Sequence, residues 1–190
     1  MDKSKKIIIS GAGIGGLTAA ACLLQEGYNV RVYEQAPELG EIGAGIQTSA
    51  NAVKVLHHIG LADRLEEVAV RPKSFEFRLF NTGEVLHKVP LAAEHEKAHG
   101  APYYHIHRSD IHKILADRVL ELDPDAVILN STATGFSEDA DGVTLNLSDG
   151  RKIKGDILIG ADGIKSPIRD QIVGVTAPDF TGQVAWRATV

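Results

Sequence analysis

Cysteine, tryptophan and methionine each occur once in the 190 residues, and aromatic residues make up only 5% of the chain. With Cys22 alone, no intrachain disulfide can form, so a disulfide-stapled secreted scaffold is excluded and a reducing cytoplasm is the expected compartment. Long apolar runs are missing too. The longest, near Leu17–Leu24, is Ala-rich and too short to span a bilayer. After Lys3, Lys5 and Lys6 the apolar stretch is only Ile7–Ile9, so neither a secretory signal nor a membrane role is read. Lys and Arg nowhere gather into a stripe, and the net charge is −5, which removes the phosphate-neutralising surface that nucleic acid requires. What remains, at 44% hydrophobic and 24% charged residues, is an ordinary globular composition.

Glycine, by contrast, is plentiful, and its placement is informative. Lys6–Ser10 (KIIIS) is a β-branched apolar run of the kind buried on both faces of a parallel sheet. Glycines follow at once, then a helix over Leu17–Glu26 closed by Gly27, then a strand over Asn29–Glu34: one βαβ unit. Leu39–Ile46 (LGEIGAGI) reads as a loop too flexible for a regular element, and Ser49 or Asn51 caps a helix to about Ile59. Ser74–Phe80 alternates like a half-buried strand, and Asn81-Thr82-Gly83 turns it into an antiparallel partner over Glu84–Val89. Leu91–Gly100 is a polar surface helix or loop. Tyr103–Arg108 is a strand leading into a helix capped by Ser109, and Ala126–Ser131 is another strand. A hairpin over Gly142–Lys154 flows into a buried strand at Asp156–Gly160, and Pro167 opens a last helix behind Ser166. Gly182–Val190 alternates again with no partner left, which suggests a fragment. The expected class is α/β: a Rossmann-type parallel sheet with the beginning of an antiparallel sheet.

Gly11, Gly13 and Gly16 fit G-x-G-x-x-G immediately after a strand and at the opening of a helix. The first glycine permits the tight turn, the second lets the backbone approach a pyrophosphate, and the third lets the helix pack close. Glu34, about 20 residues on, stands where a carboxylate accepts hydrogen bonds from an adenosine ribose and repels a 2′-phosphate. Dinucleotide binding follows. A plain NAD domain would continue with βα units, whereas hairpins interrupt this one, a layout that suits FAD.

Two further signals carry a resemblance. They are the strand-to-helix junction Tyr103–Asp110 (YYHIHRSD) and the segment Asp156–Arg169 (DILIGADGIKSPIR) with its D-G-x-x-S-x-x-R spacing. With the glycine motif, the LGEIGAGIQ loop and the TGQVAWR segment, they make the chain resemble the single-component FAD-dependent aromatic hydroxylases, near salicylate hydroxylase and 3-hydroxybenzoate 6-hydroxylase. The resemblance spans essentially all 190 residues. It implies tight, non-covalent FAD, with Gly11, Gly13 and Gly16 at the pyrophosphate and Glu34 at the ribose. It places Arg108 along the cofactor, and the backbone of Gly45 and Ile46 near the flavin. Ala133, in the turn after the Ala126–Ser131 strand, would offer its backbone to the adenine, and Asp162 would serve both FAD and a passing NADH or NADPH. The implied reaction is hydroxylation of a small phenolic acid by O2, with catalytic residues unassigned. The implied domains are an FAD-binding domain over 1–175, with strands 74–90 contributing to a substrate domain that resumes at 176–190.

Departures are Ala50 and Ala188, where relatives usually carry proline and glycine, and the absence of a second motif, a Gly-Asp pair ahead of Ala-His-Pro. An FAD dehydrogenase or oxidase, and a dinucleotide-binding fragment without catalysis, remain alternatives. The substrate, the choice between NADH and NADPH, and the oligomeric state are left open. No metal site is expected. His105 with His107, and His95 with His99, would share faces, yet no Cys or carboxylate completes either set. Cys22 reads as a small buried hydrophobe, and Ser10 and Ser166 lack a nucleophile-elbow pattern.

Overall fold

A computed structural model describes residues 2–40 and 43–184. Among these, contacts divide the chain into two compact units. One takes in everything up to residue 40 and from 112 onward, the other residues 43–111.

The first unit is built on a four-stranded parallel sheet. Strand β1 (Lys6–Ser10) carries Ile7, Ile8 and Ile9, all essentially without solvent exposure, as a strand covered on both faces must. Each such isoleucine contributes about 1.5–3 kcal/mol by burial. Helix α1 (Ile14–Gln25) follows, and Gly27, at φ +80°, ends it in the left-handed region and turns the chain into β2 (Asn29–Tyr33). The helix begins three residues earlier than predicted. Gly15 and Gly16, weak helix formers locally, lie in its first turn; Gly16 is buried against Gly11 and Ala161, while Gly15 is exposed.

The short β7 (Val127–Ile128) pairs with β2, and β11 (Ile157–Gly160) pairs with β1, giving the parallel order β11-β1-β2-β7. An antiparallel sheet of β8 (Ala133–Asp139), β9 (Gly142–Leu147) and β10 (Lys152–Gly155) accompanies it in the order β10-β9-β8. Ile8, Tyr33, Leu145 and Leu147 form a common core with Ile168 of helix α6 (Pro167–Val173). Strand β8 was not foreseen. Its run is broken by Gly135 at φ +150° and a register shift, so its alternation is weak in sequence, and cross-strand pairing with β9 holds it.

The second unit contains two antiparallel pairs and three helices. Strand β3 (Gly45–Thr48) pairs with β6 (Tyr104–His107), and β4 (Ser74–Arg78) pairs with β5 (Val85–Pro90). Gly45 and Ile46 thus belong to a strand and not to the flexible loop expected for 39–46. The order comes from β6, sixty residues away, which supplies Ile106 opposite Ile46 and His107 opposite Gly45. The β4–β5 hairpin forms as predicted but is not half-buried. Phe75 and Phe77 are 36% and 52% exposed and stack edge-on against each other, with centroids 4.9 Å apart.

Helix α2 (Ala50–His58) starts after Ser49, but the Ser49 hydroxyl donates to the Asn51 side chain and no side chain caps the helix, contrary to the capping expected of Ser49 or Asn51. Helix α4 (Ala93–His99) occupies the polar stretch. The seven-residue α3 (Ala62–Val68) was not foreseen, being too short to display a period; it is held by fully buried Leu61 and Leu65. Helix α5 (Arg108–Leu122) begins at Arg108, so Ser109 lies inside it and is not its cap. Residues 176–184 contain no helix or strand, and the rest of the segment read as an alternating strand, 185–190, lies outside the described residues.

Candidate dinucleotide site

The three fingerprint glycines answer to different constraints. Gly11 sits at φ +102°, and a Cβ there would lie 2.5 Å from the Ala161 carbonyl oxygen. A Cβ on Gly16 would overlap the carbonyl oxygen of Gly11 itself. Both residues are therefore glycine because protein backbone lies against them. Gly13 differs: it has ordinary extended geometry at φ −71° and ψ 178°, and a Cβ built on it meets nothing within 4 Å. It is also the N-cap of α1, with no capping side chain and no acid in the first turn. The first turn's N–H groups and the positive end of the helix dipole are thus left to an acceptor from outside the helix. A diphosphate is such an acceptor, and the open space at Gly13 fits it.

Glu34 follows directly on β2, half-buried, with its carboxylate turned to the glycine loop. Oε2 accepts from the Ala12 N–H at 2.6 Å, and Oε1 accepts from the Ala36 N–H at 2.9 Å. Each carboxylate oxygen has a second lone pair, so acceptor capacity remains for a ribose hydroxyl. The Glu34 carbonyl receives the Ser131 N–H at 2.7 Å. Asn130, at φ +51°, and Ser131 are gripped in turn by Arg151, whose Nη2 donates to the Asn130 carbonyl at 2.9 Å and to Ser131 Oγ at 3.1 Å. Ala133, expected in a turn, is instead the first residue of β8, opposite Leu147. The unforeseen strand starts there because β9 pairs with it.

Asp162 is bound into a self-contained cap. Its Oδ1 accepts from the Ser166 hydroxyl at 2.5 Å, and Ser166 Oγ accepts the Arg169 N–H at 2.9 Å. Arg169 returns through Nη1 to the Ile164 carbonyl at 2.8 Å. The D-G-x-x-S-x-x-R spacing therefore builds the junction between β11 and α6, with Ser166 as N-cap and Pro167 in the first turn. The Asp162 carboxylate is engaged within this junction, while the main chain at Ala161 and Asp162 abuts Gly11.

In the second unit, the Arg108 N–H donates to the Ala44 carbonyl at 3.2 Å, just beyond the Gly45–His107 pairing. Arg108 is exposed. A Cβ on Gly43 would lie 2.6 Å from the Arg108 Cβ, so a glycine is needed there for the arginine side chain to lie along the loop. Gly43 was not singled out in sequence, since nothing local marks that approach. Beneath β6, the Tyr104 hydroxyl donates to Glu66, which also binds Arg71, and Arg71 Nη1 reaches Glu96 at 3.0 Å. Burial, and then the Glu66 carboxylate, push the Tyr104 hydroxyl up to about 12. The Arg71 guanidinium holds Glu66 below the usual carboxylate range. The His95 and His99 rings lie with centroids 4.5 Å apart and planes tilted by 51°, and among the described residues no three His, Cys, Asp or Glu side chains are grouped to hold a metal ion. No helix among them is long and apolar enough to cross a membrane.

One site residue escaped sequence reasoning. His112 on α5 is only 4% exposed, and its Nε2 lies 2.8 Å from the Ala12 carbonyl oxygen. It belongs to no motif, and only the tertiary structure brings it to the loop.

Comparison with known proteins identifies the family. The chain is 40% identical over 189 residues to the 6-hydroxynicotinate 3-monooxygenase of Pseudomonas fluorescens, covering 99% of this chain and 48% of that protein. It is 40% identical over 190 residues to the 3-amino-4-hydroxybenzoate 2-monooxygenase of Streptomyces cremeus, covering 100% of this chain and 47% of that protein. The crystal structure of Klebsiella pneumoniae HpxO complexed with FAD and uric acid superposes with a TM-score of 0.78 at 35% identity, covering 90% of this chain and 42% of that one. The chain spans about half the length of the curated relatives it matches. Residues 4–189 match the FAD binding domain family, and with the glycine loop, the acid after β2 and the β11–α6 junction all in place, the chain belongs to that family.

Proposed function

We propose that the chain binds FAD tightly and non-covalently and serves a monooxygenase that hydroxylates a phenolic or otherwise hydroxylated aromatic acid, using NADH or NADPH and O2. The observation that carries this reading is the open, uncapped start of α1 at Gly13 beside a loop braced by the Glu34 carboxylate. Family membership and the activities of the relatives support it. FAD, reduced by a pyridine nucleotide, supplies the oxygen-activating chemistry that amino-acid side chains lack.

The residues of this chain hold and orient that group. The N–H groups of the first turn of α1 bind the diphosphate, with Gly13 leaving room for it and Gly11 and Gly16 keeping the turn tight. Glu34 accepts from the adenosine ribose and disfavours a phosphate at its 2′ position. The main chain at Ala133 is assigned to the adenine, and that at Asp162 to the cofactor beside Gly11. For Arg108, Gly45 and Ile46 the assignment to the flavin side rests on the family resemblance alone. Arg108 contributes a permanent charge suited to a phosphate or a polarised ring edge. Residues 1–175 are assigned to cofactor binding, with 74–90 contributing to the substrate domain, and the single Cys22 suits a cytoplasmic setting.

The test is direct. Purified protein should carry released, non-covalent yellow flavin or be reconstituted with FAD. NADH or NADPH oxidation should rise with 6-hydroxynicotinate or 3-hydroxybenzoate, with O2 uptake matching hydroxylated product. Colourless protein that cannot be reconstituted overturns the cofactor reading. Uptake of O2 with only peroxide as product assigns the chain to an oxidase.

A further inference from the structure

Ala12, between the first two fingerprint glycines, has both its backbone polar groups taken by side chains from outside the loop. Its N–H donates to Glu34 Oε2 at 2.6 Å, and its carbonyl faces His112 Nε2 at 2.8 Å. A carbonyl oxygen only accepts, so this ring nitrogen carries the hydrogen. His112 is buried, and it reaches the loop from 100 residues away in sequence.

We infer that His112 is a positioning residue for the dinucleotide loop, acting through the Ala12 carbonyl to aim the Gly13 N–H. The peptide joining Ala12 to Gly13 is trans and planar, so its C=O and N–H point in opposite directions. Holding the carbonyl toward α5 therefore turns the Gly13 N–H away from α5. Without that anchor the plane is held less firmly on this side, because Gly13 has no side chain, a Cβ there would meet nothing within 4 Å, and glycine tolerates altered dihedral angles. Glu34 fixes the preceding peptide in the same way through the Ala12 N–H. The two side chains set successive planes of the loop before any ligand arrives, and so lower the ordering cost of binding. This inference rests on the reading that the loop receives the diphosphate of FAD.

The experiment compares wild type, His112→Leu and His112→Gln in the full chain, stripped of flavin and titrated with FAD by fluorescence quenching. Leucine fills the space without a donor, and glutamine can offer an N–H near the position of Nε2. We expect the Kd for FAD to rise about tenfold in His112→Leu, as for loss of one hydrogen bond's worth of preorganisation, and to return to within about threefold of wild type in His112→Gln. A merely structural histidine would lower the melting temperature of the flavin-free variants and leave the Kd of the folded fraction unchanged, which overturns the inference. Wild type that takes up no FAD removes the cofactor reading, and the positioning role with it. Wild type and His112→Leu that bind equally remove the positioning role alone. Should His112→Leu fail to fold, 15N spectroscopy of the wild-type histidines decides: a hydrogen on Nε2 of His112 supports the inference, and a neutral ring bearing it only on Nδ1 overturns it.

Discussion

Replacing Glu34 by alanine tests whether the carboxylate is a strut of the protein as well as a contact to the cofactor. The side chain receives two backbone N–H groups, from Ala12 at 2.6 Å and from Ala36 at 2.9 Å. Hydrogen bonds to a charged acceptor contribute about 1.5–3 kcal/mol each when shielded from water. Glu34 is half-buried, and water can replace part of what is lost, so the pair is expected to contribute about 2–3 kcal/mol. For a chain of this size that corresponds to a fall of about 5–10 °C in melting temperature. The assay is thermal unfolding of the flavin-stripped protein, which isolates the structural share from any ligand effect. Glu34→Gln retains one acceptor oxygen and should lose about half as much. In FAD titrations Glu34→Gln should raise the Kd by about tenfold, through loss of the charge-assisted bond to the ribose. If flavin-free Glu34→Ala melts with wild type, the carboxylate does not brace the loop. If its FAD affinity is also unchanged, the ribose assignment fails with it.

The glycines divide by what surrounds them. Gly13→Val should fold, at a cost below about 1 kcal/mol for a poorer N-cap, yet lose FAD binding; retained flavin would refute the open-cradle reading. Gly16→Ala drives a methyl into the Gly11 carbonyl and should give little folded protein, visible as loss of the cooperative melting transition. Tyr104 keeps its proton to about pH 12 in the folded state, above the ordinary value near 10. Its contribution is therefore complete below about pH 10 and is lost as the pH rises toward about 12, because the unfolded chain ionises first. Urea midpoints should fall more steeply across that interval in wild type than in Tyr104→Phe, and identical profiles would refute the effect. Ser166→Ala removes the N-cap acceptor of α6 together with the partner of Asp162, and should cost about 1 kcal/mol in chemical denaturation. A stability equal to wild type would show that the D-G junction does not depend on its serine.

The parts of the fold legible in sequence are those whose cause is local. Three consecutive β-branched isoleucines in Lys6–Ser10, cut short by glycines, read as a strand buried on both faces, and the Ser166-Pro167 pair announces a helix start without help from elsewhere. The glycine spacing and Glu34 were readable for the same reason: each meets a stereochemical demand posed within about 25 residues. The structure brings Gly11, Gly13, Gly16, Glu34 and the main chain at Asp162 within one unit, and it describes Gly45, Ile46 and Arg108 in the other.

Where the cause was distant, the local pattern misled or stayed silent. Gly45 and Ile46 looked like flexible loop because the order at those positions belongs to β6. Phe75 and Phe77 promised a half-buried strand because alternation reveals which residues share a face and not what covers it. His112 carried no signal at all, since one histidine in a helix is ambiguous until the Ala12 carbonyl is found beside it. By itself the sequence determined that a strand, a bare glycine turn and a helix would follow one another with an acid beyond them, because backbone sterics and hydrogen bonding act over short stretches of chain. Only the tertiary structure decided which side chains grip that turn, because hydrogen bonds across 22 and 100 residues exist only once the sheet and α5 have packed.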